Sequence, residues 1–589
     1  MFKWHRVTTV LGMSAMACFA QAENKVLLVG VDGLQYEKLQ GVNTPNFDRL
    51  NITKAYTGGI KNYGSEQPTI SGPGWATILT GVWMSKHGVD SNSAGLTNAE
   101  FPGLFKRIKD AKPDAYVASY AHWSPINTNF FADEVANIEE VASGIGDQQV
   151  VDRALDTITT TSAEFVFLHL DDIDHMGHSS CFGGAYDDAI EVVDRQLGSL
   201  LDQVEQLEQQ TGDDWLVLVT TDHGRTPIVG CGHGNQTLEE KTIFIGSNEA
   251  MNAEFWQRIA DVSNSDFEGI YGYPSQASIA PTVLTHLGIE IDKDWRLDGV
   301  PLKGALAPRK LMQDPSAVQD ITWYSTENRN ATIYRNGIQV DQVPALDQGW
   351  TDPDPLAAGI VDYVVETNGV PAAIRVNNFQ IDAGLDKNSL KAYFFRNDAQ
   401  YVRYDKLTDQ SDSGYPKETN DSNWPGLNAY KDQITASFKK DAATSYFFLK
   451  NGQYINYDNV ADKVRSGYPK DITSVTWPGL DSYKDQIEAA LRWHNDKVYF
   501  FLSDGQYIRY DLDSDAVDSG YPKPINDDTW PGMRAYATDI TAAVKWSDNL
   551  GYIFLSNQRY LRYDLAEDRV EEGYPRRIDD GTWPGLLKP

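Results

Sequence analysis

Cysteine is scarce in this chain, with three among 589 residues. Cys18 lies in the first 22 residues, so the rest of the chain keeps only Cys181 and Cys231. A dense disulfide framework is therefore excluded. In an oxidising compartment a single pair of this kind is usually a disulfide, and two buried free thiols are the alternative.

Basic residues are also few, because 51 lysines and arginines stand against 83 aspartates and glutamates, a formal net charge of −32. Such an acidic surface repels polyanions, so tight binding to duplex nucleic acid is not expected. Long apolar runs are missing after residue 22, where no stretch is long enough to cross about 30 Å of hydrocarbon. The sequence therefore predicts neither a nucleic-acid duplex partner nor a membrane span.

The first 22 residues have the pattern of an export signal. Lys3 and Arg6 give a positive start, an apolar run follows from Val10 to Phe19, and small residues precede a cleavage point after Ala22. Cleavage there lowers the formal charge to −34, since two basic residues are removed. We expect a protein that is secreted or periplasmic.

The length exceeds what one hydrophobic core usually serves, so at least two domains are expected. Residues 25–306 alternate short apolar runs with amphipathic segments such as Asp187–Gln209. This alternation predicts an α/β domain with a mostly parallel sheet, in which sites gather at the carboxyl ends of strands. The predicted strands are Val26–Val31, Tyr116–Ser119, Phe165–Leu170 and Leu216–Thr220.

The last 209 residues, 381–589, repeat with a period of 53 residues. Each copy has short aromatic strands and turn signals, so four copies predict a four-bladed β-propeller. Two motifs mark the copies: Gly-Tyr-Pro at Tyr415, Tyr468, Tyr521 and Tyr574, and Trp-Pro-Gly at Trp424, Trp477, Trp530 and Trp583.

Residues 307–380 connect the two halves. Residues 331–340 predict a hairpin around Asn336-Gly337, and two further strands flank Asn368-Gly369. Residues 307–380 therefore have two interpretations. They form either a small, fibronectin-III-like β-sandwich or a structured linker.

Acidic residues and histidines cluster where the predicted strands end. Asp32 follows the first strand, and residues 169–178 contain three carboxylates and three imidazoles. Within that cluster Asp174 and His178 lie four residues apart, so one helical turn presents both on one face. So many polar groups near a core are costly to leave unpaired, and a bound cation is the simplest explanation.

A third cluster, Asp222-His223, follows the strand Leu216–Thr220, and His233 comes shortly afterwards. Carboxylates together with imidazoles suit zinc better than calcium, which prefers oxygen ligands alone. Between the first two clusters, Ser71 lies just ahead of a helix-like run, where free backbone N–H groups favour an anion. Without the other clusters, the simplest interpretation of Ser71 is a turn residue that caps a helix.

These motifs, in this order, resemble those of the alkaline phosphatase superfamily, and within it most closely the type I phosphodiesterase/nucleotide pyrophosphatase branch. The resemblance covers residues 25–306 and implies an alkaline-phosphatase-like sandwich as the catalytic domain, residues 23–306. The repeats of residues 381–589 resemble hemopexin-like repeats, including an Ile-x-Ala motif that opens each copy. The residues of the catalytic resemblance are Asp32-Gly33, the segment Gln67–Gly81, His87-Gly88, Asp174-x-x-Gly177-His178, Asp222-His223-Gly224 and His233-Gly234.

The resemblance also implies a mechanism with two zinc ions. Ser71 would bridge them as nucleophile and form a phosphoseryl intermediate, which water then hydrolyses. Asn92 would contact a non-bridging phosphate oxygen, and the Gly72 N–H would support the same charge. If His178 and His233 share a zinc, Cys181 and Cys231 are brought close, which favours the disulfide. The implied ligands are Asp174, His178 and His233 for one zinc and Asp32, Asp222 and His223 for the other.

Departures from the family bear on the substrate, a small-molecule phosphate ester. Ser71 and Gly74 replace a threonine and an asparagine of many relatives, which puts a nucleotide substrate in doubt. No lysine or arginine lies between Lys112 and Arg153, where monoester-specific relatives carry a basic pair, so a diester is favoured. A phosphomonoesterase and a hydrolase of phosphonate or sulfate esters are the alternatives, although Trp75 replaces an arginine that sulfatases need.

A different class of function is a hemopexin-type binding or adhesion protein, in which the propeller takes a glycan or a protein ligand.

Overall fold

The computed structural model describes residues 22–61, 63–260, 267–313, 320–354, 356, 358–493, 496–578 and 582–588. The predicted signal peptide, residues 1–22, lies outside the described residues except for Ala22. The chain folds as two compact units, Met1–Gly59 with Gln67–Leu306 and Ile60–Glu66 with Ala307–Pro589.

Among the described residues, no helix combines the length and the apolar character that crossing a membrane requires.

The first unit contains a mixed seven-stranded sheet in the order β2-β7-β6-β1-β5-β3-β4. β1 is parallel to β5 and β6, and β3 is parallel to β4 and β5, whereas β7 is antiparallel to β2 and β6. The predicted mostly parallel α/β sheet is confirmed. The strands are β1 Asn24–Val31, β2 Asn51–Tyr56, β3 Tyr116–Ala121, β4 Glu140–Ser143, β5 Ala163–Leu170, β6 Asp214–Thr220 and β7 Thr242–Ser247.

Helices cover both faces of this sheet. Side chains alternate along a strand, so Val26 and Leu28 of β1 pack in one hydrophobic cluster while Leu27 and Val29 pack in another. Three layers result. The α-helices of the described residues are α1 Tyr36–Leu39, α2 Ser71–Thr80, α3 Met84–His87, α4 Leu104–Ala111, α5 Ala132–Val135, α6 Asp147–Thr160, α7 Asp172–Ser180, α8 Gly184–Thr211, α9 Leu238–Lys241, α10 Ala253–Trp256 and α11 Ile279–His286.

The register of the central strands places the predicted clusters at one edge of the sheet. Val31 of β1 lies opposite Leu170 of β5, and Gly30 lies opposite Thr220 of β6. The residues that follow these three parallel strands therefore emerge side by side, as expected for a site at the carboxyl ends of strands.

In the second unit, residues 309–377 form two sheets in the part of the chain that the structure describes. Their orders are β11-β10-β13-β14 and β12-β9-β8, and buried residues of both, including Trp323 and Tyr363, share one hydrophobic cluster. Turns at Asn336-Gly337 and Asn368-Gly369 join β10 to β11 and β13 to β14. The strands are β8 Arg309–Gln313, β9 Asp320–Tyr324, β10 Asn330–Arg335, β11 Ile338–Pro344, β12 Gly349–Thr351, β13 Ile360–Thr367 and β14 Val370–Asn377.

The four 53-residue repeats each form one antiparallel sheet of five strands within the described residues. In each sheet the last strand pairs back onto the third. The four first strands, β15, β20, β25 and β30, contact one another in sequence, and β30 contacts β15. The strands are β15 Ile381–Asp386, β16 Lys391–Arg396, β17 Gln400–Asp405, β18 Gln410–Ser411, β19 Lys417–Glu418, β20 Ile434–Lys439, β21 Thr444–Leu449, β22 Gln453–Asp458, β23 Lys463–Val464, β24 Lys470–Asp471, β25 Ile487–Arg492, β26 Lys497–Leu502, β27 Gln506–Asp511, β28 Ala516–Val517, β29 Lys523–Pro524, β30 Ile540–Ser547, β31 Leu550–Leu555, β32 Arg559–Asp564, β33 Arg569–Val570 and β34 Arg576–Arg577.

Candidate metal centre and active site

One half of the candidate centre consists of Asp32, Asp222 and His223, all fully buried. His223 Nε2 lies 3.2 Å from Asp222 Oδ2 and 3.6 Å from Asp32 Oδ1. Both of these carboxylate oxygens are buried without a hydrogen-bond partner among the described residues. Buried polar atoms are rarely left unpaired, and a metal ion bound between these three side chains would satisfy both oxygens.

The other oxygen of each carboxylate is held by the protein. Asp32 Oδ2 accepts hydrogen bonds from Trp75 Nε1 at 2.9 Å and His169 Nε2 at 3.1 Å. Asp222 Oδ1 accepts one from the Gly33 N–H at 3.1 Å. Each aspartate therefore offers a single free oxygen, in a fixed direction, to a metal.

The second half consists of Asp174, His178 and His233. Asp174 and His178 lie on α7, as predicted, and His178 Nε2 is 3.2 Å from Asp174 Oδ2. His178 Nε2 also lies 3.0 Å from His233 Nε2. The His233 ring stacks on that of His223, with centroids 3.8 Å apart, so the two halves form one continuous cluster.

Backbone carbonyls fix the tautomers of two of these histidines. His233 Nδ1 is 3.0 Å from the Thr69 carbonyl oxygen, and His223 Nδ1 is 3.0 Å from the Gly224 carbonyl oxygen. A carbonyl only accepts hydrogen bonds, so both Nδ1 atoms carry the proton. Each Nε2 is left with a lone pair directed into the cluster, the arrangement typical of metal-binding histidines.

The electrostatics of the cluster also favour a cation. Burial, and then repulsion by Asp32, raise the pKa of Asp222 well above its ordinary value. Burial, and then the nearby His233, lower the pKa of His223 to about 3, which keeps the imidazole neutral. Burial raises the pKa of Asp32, but the His169 hydrogen bond and the neighbouring imidazoles outweigh it and bring the pKa below the ordinary range. A neutral His223 imidazole beside crowded carboxylates favours a bound metal, whereas the hydrogen bond with Asp174 raises the pKa of His178.

Ser71 is the first residue of α2 and is buried, with its Oγ 3.4 Å from His223 Nε2. The structure therefore brings the predicted nucleophile to the predicted ligands. Asn92 reaches the same helix end, where its Oδ1 accepts a hydrogen bond from the Gly72 N–H at 2.8 Å. That N–H was expected to face a phosphoryl oxygen and is instead bonded to Asn92, which leaves the Asn92 amide N–H groups for that role.

Two glycines allow α2 to approach the cluster. A Cβ on Gly74 would lie 2.9 Å from the Asp222 Cβ, and a Cβ on Gly30 would lie 2.4 Å from the Trp75 ring. Helix α2 can therefore place Ser71 beside the ligands only because these side chains are absent. The departure from the family at Gly74 has a packing reason in this chain.

The sequence analysis gave no supporting role to three residues that contact the proposed ligands: Trp75, His169 and Arg225. The fully buried Arg225 donates from Nη1 to Asp174 Oδ1. Its signal in the sequence is a charged residue directly after Asp222-His223-Gly224, and His169 lies within the cluster already noted. Trp75 gave no such signal, because its contact with Asp32 arises only from packing.

The disulfide between Cys181 and Cys231 is present, with Cα atoms 4.2 Å apart. Cys181 directly follows α7, and Cys231 lies two residues before His233. The bond therefore links the helix that carries Asp174 and His178 to the loop that carries His233.

If Asp174, His178 and His233 hold a metal such as zinc, replacing both cysteines by serine should weaken its binding by about tenfold, because the helix and the loop lose their covalent link. Competition with a chromogenic chelator on the full chain measures the effect. Ser180→Ala, next to Cys181, is the matched control and should bind zinc as the unmodified protein does. Equal zinc affinity in the double variant would show that the disulfide does not support the ligands.

Comparisons with known proteins divide the chain in the same way. The family model for type I phosphodiesterase/nucleotide pyrophosphatase matches residues 26–342, more than half of the chain, and the hemopexin model matches residues 487–534. Human neutrophil collagenase is 32% identical over 150 residues, which cover 25% of this chain and 28% of that protein. Horse interstitial collagenase is 32% identical over 148 residues, 25% of this chain and 29% of that protein. The chain thus spans less than a third of the length of these relatives.

Two solved structures are also similar to parts of the chain. The mouse ectonucleotide pyrophosphatase/phosphodiesterase 5 structure has a TM-score of 0.27 and 19% identity, covering 34% of this chain and 57% of that one. A seed 2S albumin from Dolichos has a TM-score of 0.29 and 24% identity, covering 35% and 97%. On the family match over residues 26–342, the chain belongs to the type I phosphodiesterase/nucleotide pyrophosphatase family, and it carries hemopexin-like repeats in its second unit.

Proposed function

We propose that this protein is an exported two-zinc hydrolase that cleaves small phosphodiesters through a phosphoseryl intermediate on Ser71. Membership of the family supports hydrolysis of phosphodiesters. The observation that carries the proposal is the pair of buried, unpaired oxygens, Asp32 Oδ1 and Asp222 Oδ2, beside the imidazole that Ser71 Oγ approaches. A metal ion bound between them would account for both oxygens being turned toward the His223 imidazole.

The ligands would divide into the two groups described above, Asp32, Asp222 and His223 for one zinc and Asp174, His178 and His233 for the other. When bound, a zinc pair supplies Lewis-acid stabilisation of the attacking and leaving oxygens of an in-line displacement. Carboxylate and imidazole ligands are those that zinc prefers, and both histidines with fixed tautomers present Nε2 to the cluster.

The chain's own residues would carry the two chemical steps. Ser71 Oγ forms a bond to phosphorus as the bond to the leaving alcohol breaks, and the alcohol departs with a proton. Water then cleaves the Ser71–phosphorus bond, which restores the hydroxyl and releases the monoester. The Asn92 amide, aimed by the Gly72 N–H, would donate to a non-bridging phosphoryl oxygen in both steps.

A singly charged diester fits this site better than a monoester. The lysine–arginine pair of monoester-specific relatives has no counterpart between Lys112 and Arg153. Arg225, which does lie in the cluster, donates from Nη1 to Asp174 and from Nε to the Gly230 carbonyl oxygen, so that among the described residues its buried Nη2 alone has no hydrogen-bond partner. The extra charge of a monoester would therefore gain less from this site than it does in those relatives.

For the second unit we propose a four-bladed propeller over residues 381–589 and a small β-sandwich over residues 307–380. The closed succession of contacts among β15, β20, β25 and β30 supports the propeller. The two sheets that share one core support the sandwich. A glycan or protein ligand of the propeller stays a prediction.

Hydrolysis of three p-nitrophenyl compounds by the purified protein tests the proposed function. We expect bis-p-nitrophenyl phosphate to be cleaved faster than p-nitrophenyl phosphate and p-nitrophenyl sulfate. Dialysis against a chelator should abolish the activity, and zinc should restore it. A dominant monoester or sulfate rate would contradict the diester preference, and activity that survives complete metal removal would contradict the zinc mechanism.

A further inference from the structure

The three aspartates of the cluster share one geometry but differ in the group that produces it. In each, one oxygen is held by a donor of the protein and the other faces the cluster. The held oxygen of Asp222 accepts a hydrogen bond from a backbone N–H. The held oxygen of Asp32 accepts hydrogen bonds from the Trp75 indole and the His169 imidazole. Of the three aspartates, only Asp174 accepts its hydrogen bond from a positively charged group, the guanidinium of Arg225.

Arg225 is fixed on several sides. It is fully buried, its Nε donates to the Gly230 carbonyl oxygen at 2.5 Å, and its backbone N–H donates to Gln35 Oε1 at 2.6 Å. A Cβ on Gly177 would lie 2.2 Å from its Cζ, so the glycine of the Asp174-x-x-Gly177-His178 motif is needed for the guanidinium to pass. The chain therefore holds this cation in one place and gives it little freedom to leave Asp174.

We propose that Arg225 is a positioning residue that keeps Asp174 a one-oxygen metal ligand and withdraws part of its negative charge from the metal. The proposal rests on the function proposed above. Asp174 Oδ2 lies 3.2 Å from His178 Nε2 and faces the cluster, whereas Oδ1 accepts a hydrogen bond from Arg225 and lies farther from the imidazoles, 3.9 Å from His233 Nε2. The Arg225 hydrogen bond would therefore oppose binding of a metal through both oxygens, which would leave room at the metal for substrate.

The charge of Arg225 has a second consequence. A carboxylate that shares its charge with a guanidinium donates less to a metal, so the metal stays a stronger Lewis acid. Without Arg225, Asp174 could turn both oxygens to the metal. The metal would then be held at least as firmly but would polarise a phosphate oxygen less. Affinity and turnover are thus expected to change in different directions.

Full-length Arg225→Met and Arg225→Lys variants separate this role from a structural one. The protein is loaded with cobalt in place of zinc, because the intensity of cobalt d–d absorption falls as the coordination number rises. For Arg225→Met we expect a weaker cobalt absorption, a zinc affinity equal to or higher than that of the unmodified protein, and a kcat for bis-p-nitrophenyl phosphate lowered by about tenfold or more. Arg225→Lys keeps the charge and should restore most of the absorption and kcat.

Arg107→Met is the matched control, since Arg107 is another buried arginine of the first unit and donates to the Pro102 carbonyl oxygen. It should leave the cobalt spectrum and kcat unchanged. The proposal is overturned if Arg225→Met loses metal together with activity, or if both Arg225 variants keep the spectrum and kcat of the unmodified protein. Should the unmodified protein itself bind no zinc or cleave no diester, the function proposed above fails instead.

Discussion

Ser71→Ala is expected to lower the kcat for bis-p-nitrophenyl phosphate by at least about 10³-fold while the bound zinc is retained. The substitution removes only the attacking oxygen, and Ser71 lies at the start of α2 with its Oγ 3.4 Å from His223 Nε2. Acid quenching of the unmodified protein during turnover should trap a p-nitrophenyl phosphoryl group on Ser71. The alanine variant should trap none.

The conservative variant Ser71→Thr keeps a hydroxyl at the same position, as in many relatives, and should retain a substantial part of the activity. Ser179→Ala, an exposed serine on α7, controls for the loss of a hydroxyl near the site. If Ser71→Ala hydrolyses the diester at the unmodified rate, water attacks the substrate directly and the covalent mechanism is wrong.

Each group of ligands should account for one zinc ion. His223→Ala and His233→Ala, made separately, are expected to reduce bound zinc from two ions per chain to one and to lower diester hydrolysis by at least about 100-fold. Each variant loses an Nε2 whose direction is fixed by a carbonyl on the far side of its ring. Metal analysis after gel filtration, at a protein concentration above the zinc dissociation constant, measures the stoichiometry.

His175→Ala provides the matched control, because His175 is an exposed histidine on α7 between Asp174 and His178. It should keep both zinc ions. Asp222→Asn gives a second route to the same result where His223→Ala does not fold. Two zinc ions in both His223→Ala and His233→Ala would contradict the assignment of ligands.

The fold of the first unit could be predicted because its signals are local. The apolar runs that became β1, β3, β5 and β6 are buried on both faces, as central parallel strands are, and so stand out from their amphipathic neighbours. The four-residue spacing of Asp174 and His178 suits one helical turn, and both residues do lie on the helix α7. The antiparallel edge of the sheet, β2 with β7, was not predicted, because pairing between residues 51–56 and 242–247 leaves no local pattern.

The sequence identified the residues that gather at the candidate centre, but it did not identify the groups that orient them. Asp32, Asp222 and His223 come directly after apolar strands, so their position is visible in the local sequence. Their partners depend on how this chain packs. Trp75 reaches Asp32 only because Gly30 leaves room for its ring. A mutational screen restricted to the proposed ligands, Ser71 and Asn92 would leave Trp75 out.

A short segment near Ser71, Ile60–Glu66, belongs to the second unit, and this limits how the gene can vary. The backbone leaves the first unit after Gly59 and returns at Gln67, four residues before Ser71, and the intervening segment belongs to the second unit. There the Arg577 guanidinium lies 5.4 Å from the centre of the Tyr63 ring. A stop codon after residue 306 would thus remove Arg577 and the rest of the second unit while leaving residues 60–66, which lie close to Ser71 in the sequence. Recombination that replaced residues 307–589 alone would separate residues 60–66 from the rest of their unit in the same way. We therefore expect the two units to be inherited together.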